Sequence, residues 1–206
     1  MTSIGRLEKQ NIQTLIDSGV RQGAEVLNAM LNSPIKLEAP VLSVVGIEEL
    51  KEQLKAEYRE SLAGVRMSYA GELIGEVELI FNTAEAARLA SAITQDLVPE
   101  TDLDALQAAT ISEVGNVVIN AIIGTMSNSL GLHLNFSVPQ YMEGEIDSLL
   151  RRTEEIRSTT ALLVKTRFFI NELDISGHIL LFFTLGAFDF FKSRLKDYNT
   201  ADQGTS

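Results

Sequence analysis

Leu132-His133-Leu134-Asn135-Phe136-Ser137-Val138-Pro139 is a stretch in which apolar and polar side chains alternate up to a proline. The same design occurs earlier in the chain as Ile35-Lys36-Leu37-Glu38-Ala39-Pro40-Val41. Alternation with a period of two is typical of a strand that is buried on one face. Two strands of one design, far apart in the chain, suggest an internal repeat.

The elements around these two stretches recur in the same order. Each half is predicted to contain a long helix, the strand with its proline, two strands around a glycine and a short helix: 7–32, 35–41, 64–70 with 75–81, and 84–94, then 102–130, 132–139, 162–170 with 177–184, and 187–195. Pro40 and Pro139 differ by 139 − 40 = 99 positions, and Gly75 and Gly177 differ by 177 − 75 = 102. Chance seldom places two independent landmarks at nearly the same offset.

The repeat predicts a mixed α/β (α+β) fold with pseudo-twofold symmetry. We expect one domain over residues 1–206, made of two α-β-β-β-α halves at about 7–97 and 100–197, joined near Val98-Pro99-Glu100. Strands next to tight glycine connections favour an antiparallel sheet covered by the long helices. Two charged amphipathic inserts, 47–61 and 145–157, are predicted to be exposed helices. The small polar residues of 198–206 predict a disordered tail.

The composition is that of a globular protein with an excess of acidic residues. The chain has 206 residues, 45% of them hydrophobic and 22% charged, and a formal net charge of -11. A nucleic-acid-binding protein needs a basic face to displace counterions, so nucleic acid is not an expected partner. The chain has no cysteine and two histidines, His133 and His178. A thiolate metal site is therefore excluded, and no metal or cofactor of the protein's own is expected.

The sequence also indicates where the chain resides. The first residues, Met1-Thr2-Ser3-Ile4-Gly5-Arg6, lack the apolar core of a signal peptide. No uncharged apolar run reaches the roughly 18 residues that a spanning helix needs. We therefore expect a cytoplasmic location without membrane insertion.

A polar notch interrupts the second long helix at Ser112-Glu113-Val114-Gly115-Asn116-Val117-Val118. Glu113 and Asn116 are three residues apart, so they lie on the same face of a helix, one turn from each other. At 100° per residue, three further positions share their stripe: Asp102, Ala109 and Asn120. A largely apolar face lies away from it and should pack on the sheet: Ile111, Val114, Val118, Ile122 and Thr125.

The Glu113–Asn116 pair allows two interpretations. A glutamate can hold a cation and an asparagine can position a water, so together they could serve phosphoryl chemistry. The alternative is a solvated stripe, because most helices of globular proteins have a polar face. Gly115, which costs about 1 kcal/mol relative to alanine inside a helix, is also open to two interpretations. It could let the backbone of another protein approach the pair, or it could serve helix–sheet packing.

The corresponding helix of the first half lacks the pair. A shift of 99 residues places Thr14 opposite Glu113 and Asp17 opposite Asn116. If the chain is duplicated, one half has kept or gained a chemistry that the other does not have.

These residues resemble the CheC/CheX/FliY phosphatases of bacterial chemotaxis. Sites of that family contain a Glu, two residues, an Asn and then about twenty-two residues before a Pro. The match here is Glu113-Val114-Gly115-Asn116 followed by Pro139. The first half, over 19–41, is similar to the family's N-terminal repeat, and 71–81 looks like its central hairpin. The resemblance covers roughly residues 7–196.

The resemblance implies dephosphorylation of the phospho-aspartate on a CheY-type response regulator. Asn116 would then orient the attacking water, and Glu113 would pair with a lysine of the regulator's active site. Magnesium would be held by the regulator rather than by this protein. A CheD-type deamidase is a further possible partner of such proteins.

The chain departs from the family pattern at two places. The family has Asp or Ser four residues before the Glu, where this chain has Ala109. CheC-like members often have two sites, whereas Thr14 and Asp17 leave this chain with one. The charge of Asp17 would repel a phosphoryl group.

Two other functions compete with the phosphatase. One is a non-catalytic module that binds a response regulator or acts as a flagellar-switch-like scaffold, motivated by Ala109 and the lost first-half pair. The other, a metal hydrolase or small-molecule enzyme, has little support. The residues that could serve it have simpler roles in a strand, a helix start, the core or a solvated loop: His133, Asp102 with Asp104, the aromatic cluster Phe182-Phe183, Phe188 and Phe190-Phe191, and the acidic run Glu143, Glu145 and Asp147.

Overall fold

The computed structural model describes residues 4–31, 34–59, 61–94, 103–155, 158–170 and 172–202. Within them the chain forms six helices and seven strands. The first half contains α1 (Arg6–Leu31), β1 (Ile35–Gly46), α2 (Ile47–Glu57), β2 (Leu62–Gly71), β3 (Gly75–Asn82) and α3 (Thr83–Thr94). The second half contains α4 (Leu103–Ser129), β4 (Leu134–Phe136), β5 (Gln140–Gly144), α5 (Ile146–Glu155), β6 (Ser158–Ile170), β7 (Leu173–Thr184) and α6 (Ala187–Asp202).

The structure describes part of the predicted C-terminal tail but not the predicted junction between the halves. Helix α6 continues to Asp202, so residues 198–202 are helical rather than part of the disordered tail that we predicted. The remaining tail, 203–206, and the predicted junction at 98–100 lie outside the described residues.

All seven strands join one antiparallel sheet. The strand order is β1-β6-β7-β3-β2-β4, and β5 also pairs with β2. Each half's first strand pairs with the other half's second strand. Strand β1 pairs with β6, and the two segments β4 and β5 both pair with β2. The third strands, β3 and β7, meet at the centre. If each strand is replaced by its counterpart in the other half, the same strand order results, read in the opposite direction. This symmetry confirms the predicted pseudo-twofold α/β fold.

The two repeated prolines mark breaks in the edge strands. In β1 the register shifts between Glu38 and Val41, on either side of Pro40. In the second half β4 ends at Phe136 and β5 begins at Gln140, with Pro139 between them. Proline cannot donate a ladder hydrogen bond, so it is tolerated at sheet edges and bulges. The single strand predicted over 132–139 is therefore wrong, because the strand stops before the proline.

The two long helices pack against each other on one face of the sheet. A Cβ on Gly19 of α1 would lie 2.5 Å from the Ile122 Cα of α4, and one on Gly23 would lie 3.4 Å from the Val118 Cα. The helices cross closely because these glycines have no side chain. The 99-residue offset relates 19 to 118 and 23 to 122, so the two contacts are the same contact in exchanged halves.

The opposite face of the sheet is covered by α2 and α5. Ile47, Leu50 and Leu54 of α2 are buried in a second core cluster with Leu149 and Leu150 of α5. Their spacing places them on one side of each helix. On α2, Glu48, Glu49, Glu52 and Lys55 are exposed. The prediction that both inserts are exposed is therefore wrong for one face of each helix.

An ionic network is buried between this face and strands β2 and β3. Arg66 Nε donates to Glu78 Oε1 at 2.6 Å, and Arg66 Nη2 donates to the Leu149 carbonyl oxygen at 2.6 Å. Glu76 Oε2 lies 3.7 Å from Arg66 Nε. Burial raises the pKa of Glu78 to about 7, although Arg66 opposes that rise. The network links the sheet to α5 through one arginine.

Helix α4 is long and apolar enough to suit a membrane span, the one such helix among the described residues. Its apolar side packs instead on the sheet and on α1, and Ile111, Val118, Ile119 and Ile122 are fully buried. The sequence and packing of α4 are thus those of a core helix.

Candidate functional site

The predicted site lies on the solvent side of α4. Glu113 and Ala109 are exposed, and Asn116 and Asn120 are half-buried. Asn120 Nδ2 donates to Asn116 Oδ1 at 2.8 Å. The structure therefore brings together the predicted pair and adds a link to Asn120, while Asp102 lies outside the described residues.

The end of α4 leads the chain from the site helix towards Pro139. The helix closes with bonds from the Gly131 amide to the Asn128 carbonyl (3.3 Å) and from the Leu132 amide to the Ser127 carbonyl (2.8 Å). This is a Schellman motif, and it places Gly131 in the left-handed region at φ 62°. The turn sends the chain into β4, which pairs with the end of β2.

Gly115 faces the sheet rather than the space between Glu113 and Asn116. A Cβ at this position would lie 2.6 Å from the Val65 Cβ and 2.7 Å from its Cγ2. Two residues of helix turn Gly115 about 200° away from Glu113, which is the opposite side of α4. Gly115 therefore serves helix–sheet packing, and the role of admitting a partner's backbone is wrong.

Gly115→Ala is expected to destabilise the protein by about 1–2 kcal/mol, since overpacking against Val65 outweighs the gain in helix propensity. The matched control is Gly124→Ala on the same helix, where a Cβ would meet nothing within 4 Å. That change should stabilise by about 1 kcal/mol. Urea denaturation of both variants measures the difference, and equal effects would contradict the packing role.

The corresponding position in the first half is tied to the sheet. Gln13 Nε2 lies within hydrogen-bond distance of both Asp17 Oδ1 and the Ala39 carbonyl oxygen, at 2.8 Å each. The 99-residue equivalent of Gln13 is Ser112, which instead donates to the Ala108 carbonyl of its own helix at 2.7 Å. Thr14 donates to the Gln10 carbonyl at 3.0 Å. Gln13 thus joins α1 to β1, a link that α4 lacks at Ser112.

The two histidines occupy different environments. His133 is exposed in the turn before β4, with Nδ1 3.5 Å from Glu72 Oε2, so it is not on a strand as predicted. His178 is buried beside Tyr58, whose hydroxyl pairs with the His178 Nδ1. Burial lowers the pKa of His178 to about 4. Within the part of the chain that the structure describes, no group of three His, Asp or Glu side chains could hold a metal.

Two members of the acidic run, Glu143 and Asp147, are paired rather than merely solvated. Tyr141 Oη donates to Glu143 Oε2 at 2.9 Å, and Lys55 Nζ lies 2.7 Å from Asp147 Oδ2. Burial, followed by the bond to Glu143, raises the pKa of Tyr141 to about 12. The Lys55–Asp147 contact joins α2 to α5, whereas the Tyr141–Glu143 bond lies within β5.

The aromatic cluster is mainly core. Phe182, Phe183, Phe188 and Phe191 are buried, whereas Phe190 is 38% exposed. The predicted core role is therefore confirmed for four of the five phenylalanines.

The chain is similar to known chemotaxis proteins in sequence and in structure. No family model matches the chain. CheC1 of Halobacterium salinarum, provisionally named a CheY-P phosphatase, is 25% identical over 141 residues, which cover 68% of this chain and 70% of that protein. Thermotoga maritima FliY has a similar structure, with a TM-score of 0.74 and 16% identity, covering 96% of this chain and 100% of FliY. The chain is therefore similar to CheC1 in sequence and to FliY in fold.

Two further structures show the range of this fold. CheX of Borrelia burgdorferi, solved in complex with CheY, BeF₃ and Mg²⁺, gives a TM-score of 0.51 at 18% identity, over 81% of this chain and 96% of CheX. The FliM middle domain of H. pylori gives a TM-score of 0.62 at 9% identity, over 93% of this chain and 99% of that domain. The fold of this chain therefore occurs both in CheX and in FliM.

Proposed function

We propose that this protein is a phosphatase of a CheY-type response regulator, with its site at Glu113 and Asn116. The observation that carries the proposal is the Glu113–Asn116 pair on the solvent side of α4, with Glu113 exposed and Asn116 half-buried, in a CheC/CheX/FliY-like fold. The similarity to CheC1 and the CheX complex with CheY support a regulator as partner. A cytoplasmic location follows from that role.

In this proposal Glu113 and Asn116 have different roles. Glu113 pairs with a lysine of the regulator and so sets the register of docking. Asn116 orients a water against the phosphorus of the acyl phosphate. The water oxygen forms the new bond to phosphorus, the bond from phosphorus to the aspartate oxygen breaks, and the products are aspartate and inorganic phosphate. Magnesium held by the regulator would supply charge neutralisation of the transferred group, which leaves positioning as the main task of Glu113 and Asn116.

A binding module without catalysis is the second candidate. The FliM likeness and the exposed Ala109, where the family has Asp or Ser, favour it. Such a module would bind the phosphorylated regulator and leave the lifetime of its phospho-aspartate unchanged.

The test is the rate of phosphate loss from a phosphorylated receiver domain with and without the purified protein. We expect the wild type to accelerate it, and Glu113→Ala to lower kcat/KM about tenfold because one interfacial charge pair is lost. Asp17→Ala, at the position of the first half's long helix that is equivalent to Asn116, is the control and should keep the wild-type rate. Regulator binding without acceleration would overturn the phosphatase and support the binding module.

A further inference from the structure

The Asn116 side chain is held by a neighbour one helical turn later. Asn120 Nδ2 donates to Asn116 Oδ1 at 2.8 Å, and both residues are half-buried on α4. Among the described residues no second hydrogen bond to this amide occurs, so its remaining polar capacity is available to other groups.

That hydrogen bond restricts an otherwise loose torsion. The terminal torsion of asparagine has a broad distribution, so a free carboxamide turns through many orientations. A carbonyl oxygen has two lone pairs, and Asn120 takes one of them. The other lone pair of Asn116 Oδ1 is then left in a direction fixed by α4. Asparagine is a poor residue for a helix interior, and this bond gives Asn120 a role there.

We propose that Asn120 is a positioning residue for the site: it fixes the carboxamide plane of Asn116 so that Oδ1 accepts from the attacking water in one orientation. This inference rests on the proposed phosphatase function. Asn120 itself touches neither the water nor the phosphoryl group. The first half has Arg21 at the equivalent position (120 − 99 = 21), so it lacks the positioning residue as well as the Glu–Asn pair.

The test compares Asn120→Ala, Asn120→Leu and Asn120→Gln with the wild type, measuring initial rates of phosphate release over a range of phosphorylated receiver-domain concentrations. Loss of the donor in the alanine and leucine variants should lower kcat about tenfold, because the water is no longer held in line. KM should stay within about twofold, since docking does not use this bond. The glutamine variant keeps an amide donor and should recover part of kcat.

Thr125→Ala is the control, because Thr125 lies on the same helix and bonds to Gln22 of α1 instead of to the site. It should leave kcat unchanged. If the wild type itself fails to accelerate phosphate loss, the proposed function is overturned and this inference with it. If the wild type is active and the alanine and leucine variants match its kcat, only the positioning role is overturned. A change confined to KM, or equal rates for the glutamine and leucine variants, would also overturn it.

Discussion

Asn116→Ala is expected to reduce the catalysed rate of receiver-domain dephosphorylation roughly 100-fold, to near the regulator's own rate of phosphate loss. The variant loses the carboxamide that would hold the water. Ala109 has no polar group, Glu113 is a carboxylate, and the Asn120 amide lies one helical turn further along α4, so none of them takes the position of the lost group. The apolar face of α4, with Ile111, Val114 and Val118, is untouched. The measurement is single-turnover loss of phosphate from a labelled receiver domain.

Two controls make this result specific. The melting temperature of Asn116→Ala should equal that of the wild type to within a few degrees, because the substitution is at a half-buried site and alanine favours helix. Binding of the phosphorylated receiver, measured separately, should persist because Glu113 remains. Undiminished catalysis in Asn116→Ala would exclude Asn116 as the residue that orients the water.

Arg66→Met is expected to destabilise the fold by about 3–5 kcal/mol at neutral pH, the typical cost of removing one partner from a buried ionic network. The variant leaves Glu76 and Glu78 buried without their arginine and also removes the bond to the Leu149 carbonyl. The free energy of unfolding in urea measures this loss.

The loss should depend on pH in a defined direction. In the wild type the folded pKa of Glu78, about 7, is already above the ordinary value. Without Arg66 the folded state holds this proton still more tightly than the unfolded state does. Stability of Arg66→Met should therefore recover as the pH falls from above 7 towards 5, and it should be lowest in alkali.

The matched control for Arg66→Met is Arg167→Met on β6. Arg167 pairs with Asp174 across the β6–β7 hairpin, but its side chain is 45% exposed and that of Asp174 is 39% exposed. An exposed pair of this kind contributes about 0–1 kcal/mol, so the control should be nearly neutral. Replacing Glu76 and Glu78 by glutamine in the Arg66→Met background should restore part of the stability. A neutral Arg66→Met would show that the network contributes little to the fold.

Much of the fold could be predicted from residue patterns, because these patterns report local burial. The period-two alternation and the repeated Pro40/Pro139 and Gly75/Gly177 offsets were sufficient for the duplicated sheet. The buried side of α2 was missed although Ile47, Leu50 and Leu54 have helical spacing, since the charged residues between them dominate the composition. The break before Pro139 was missed because the alternation of apolar and polar residues continues up to the proline, whereas a strand ladder needs an amide hydrogen that proline does not have.

Only part of the candidate site could be predicted from the sequence. Glu113 and Asn116 could be found because a carboxylate and a carboxamide interrupt an apolar helix. Asn120 was placed on the same stripe, but its bond to Asn116 depends on side-chain rotamers that no spacing specifies. The orientation of Gly115 away from Glu113 follows from helix geometry alone. Its contact with Val65 could not be predicted, because that contact depends on which strand lies under α4.

The exchange of first strands between the halves has a consequence for how the protein folds. The pairs β2–β3 and β6–β7 join neighbours in the chain and can form early. The β1–β6 ladder joins residues such as Ile35 and Ile170. Closing so long a loop costs chain entropy before any pairing offsets it, so this ladder should form late and slow the folding rate. The complete sheet on which α4 packs therefore depends on β1, a strand of the first half that pairs late.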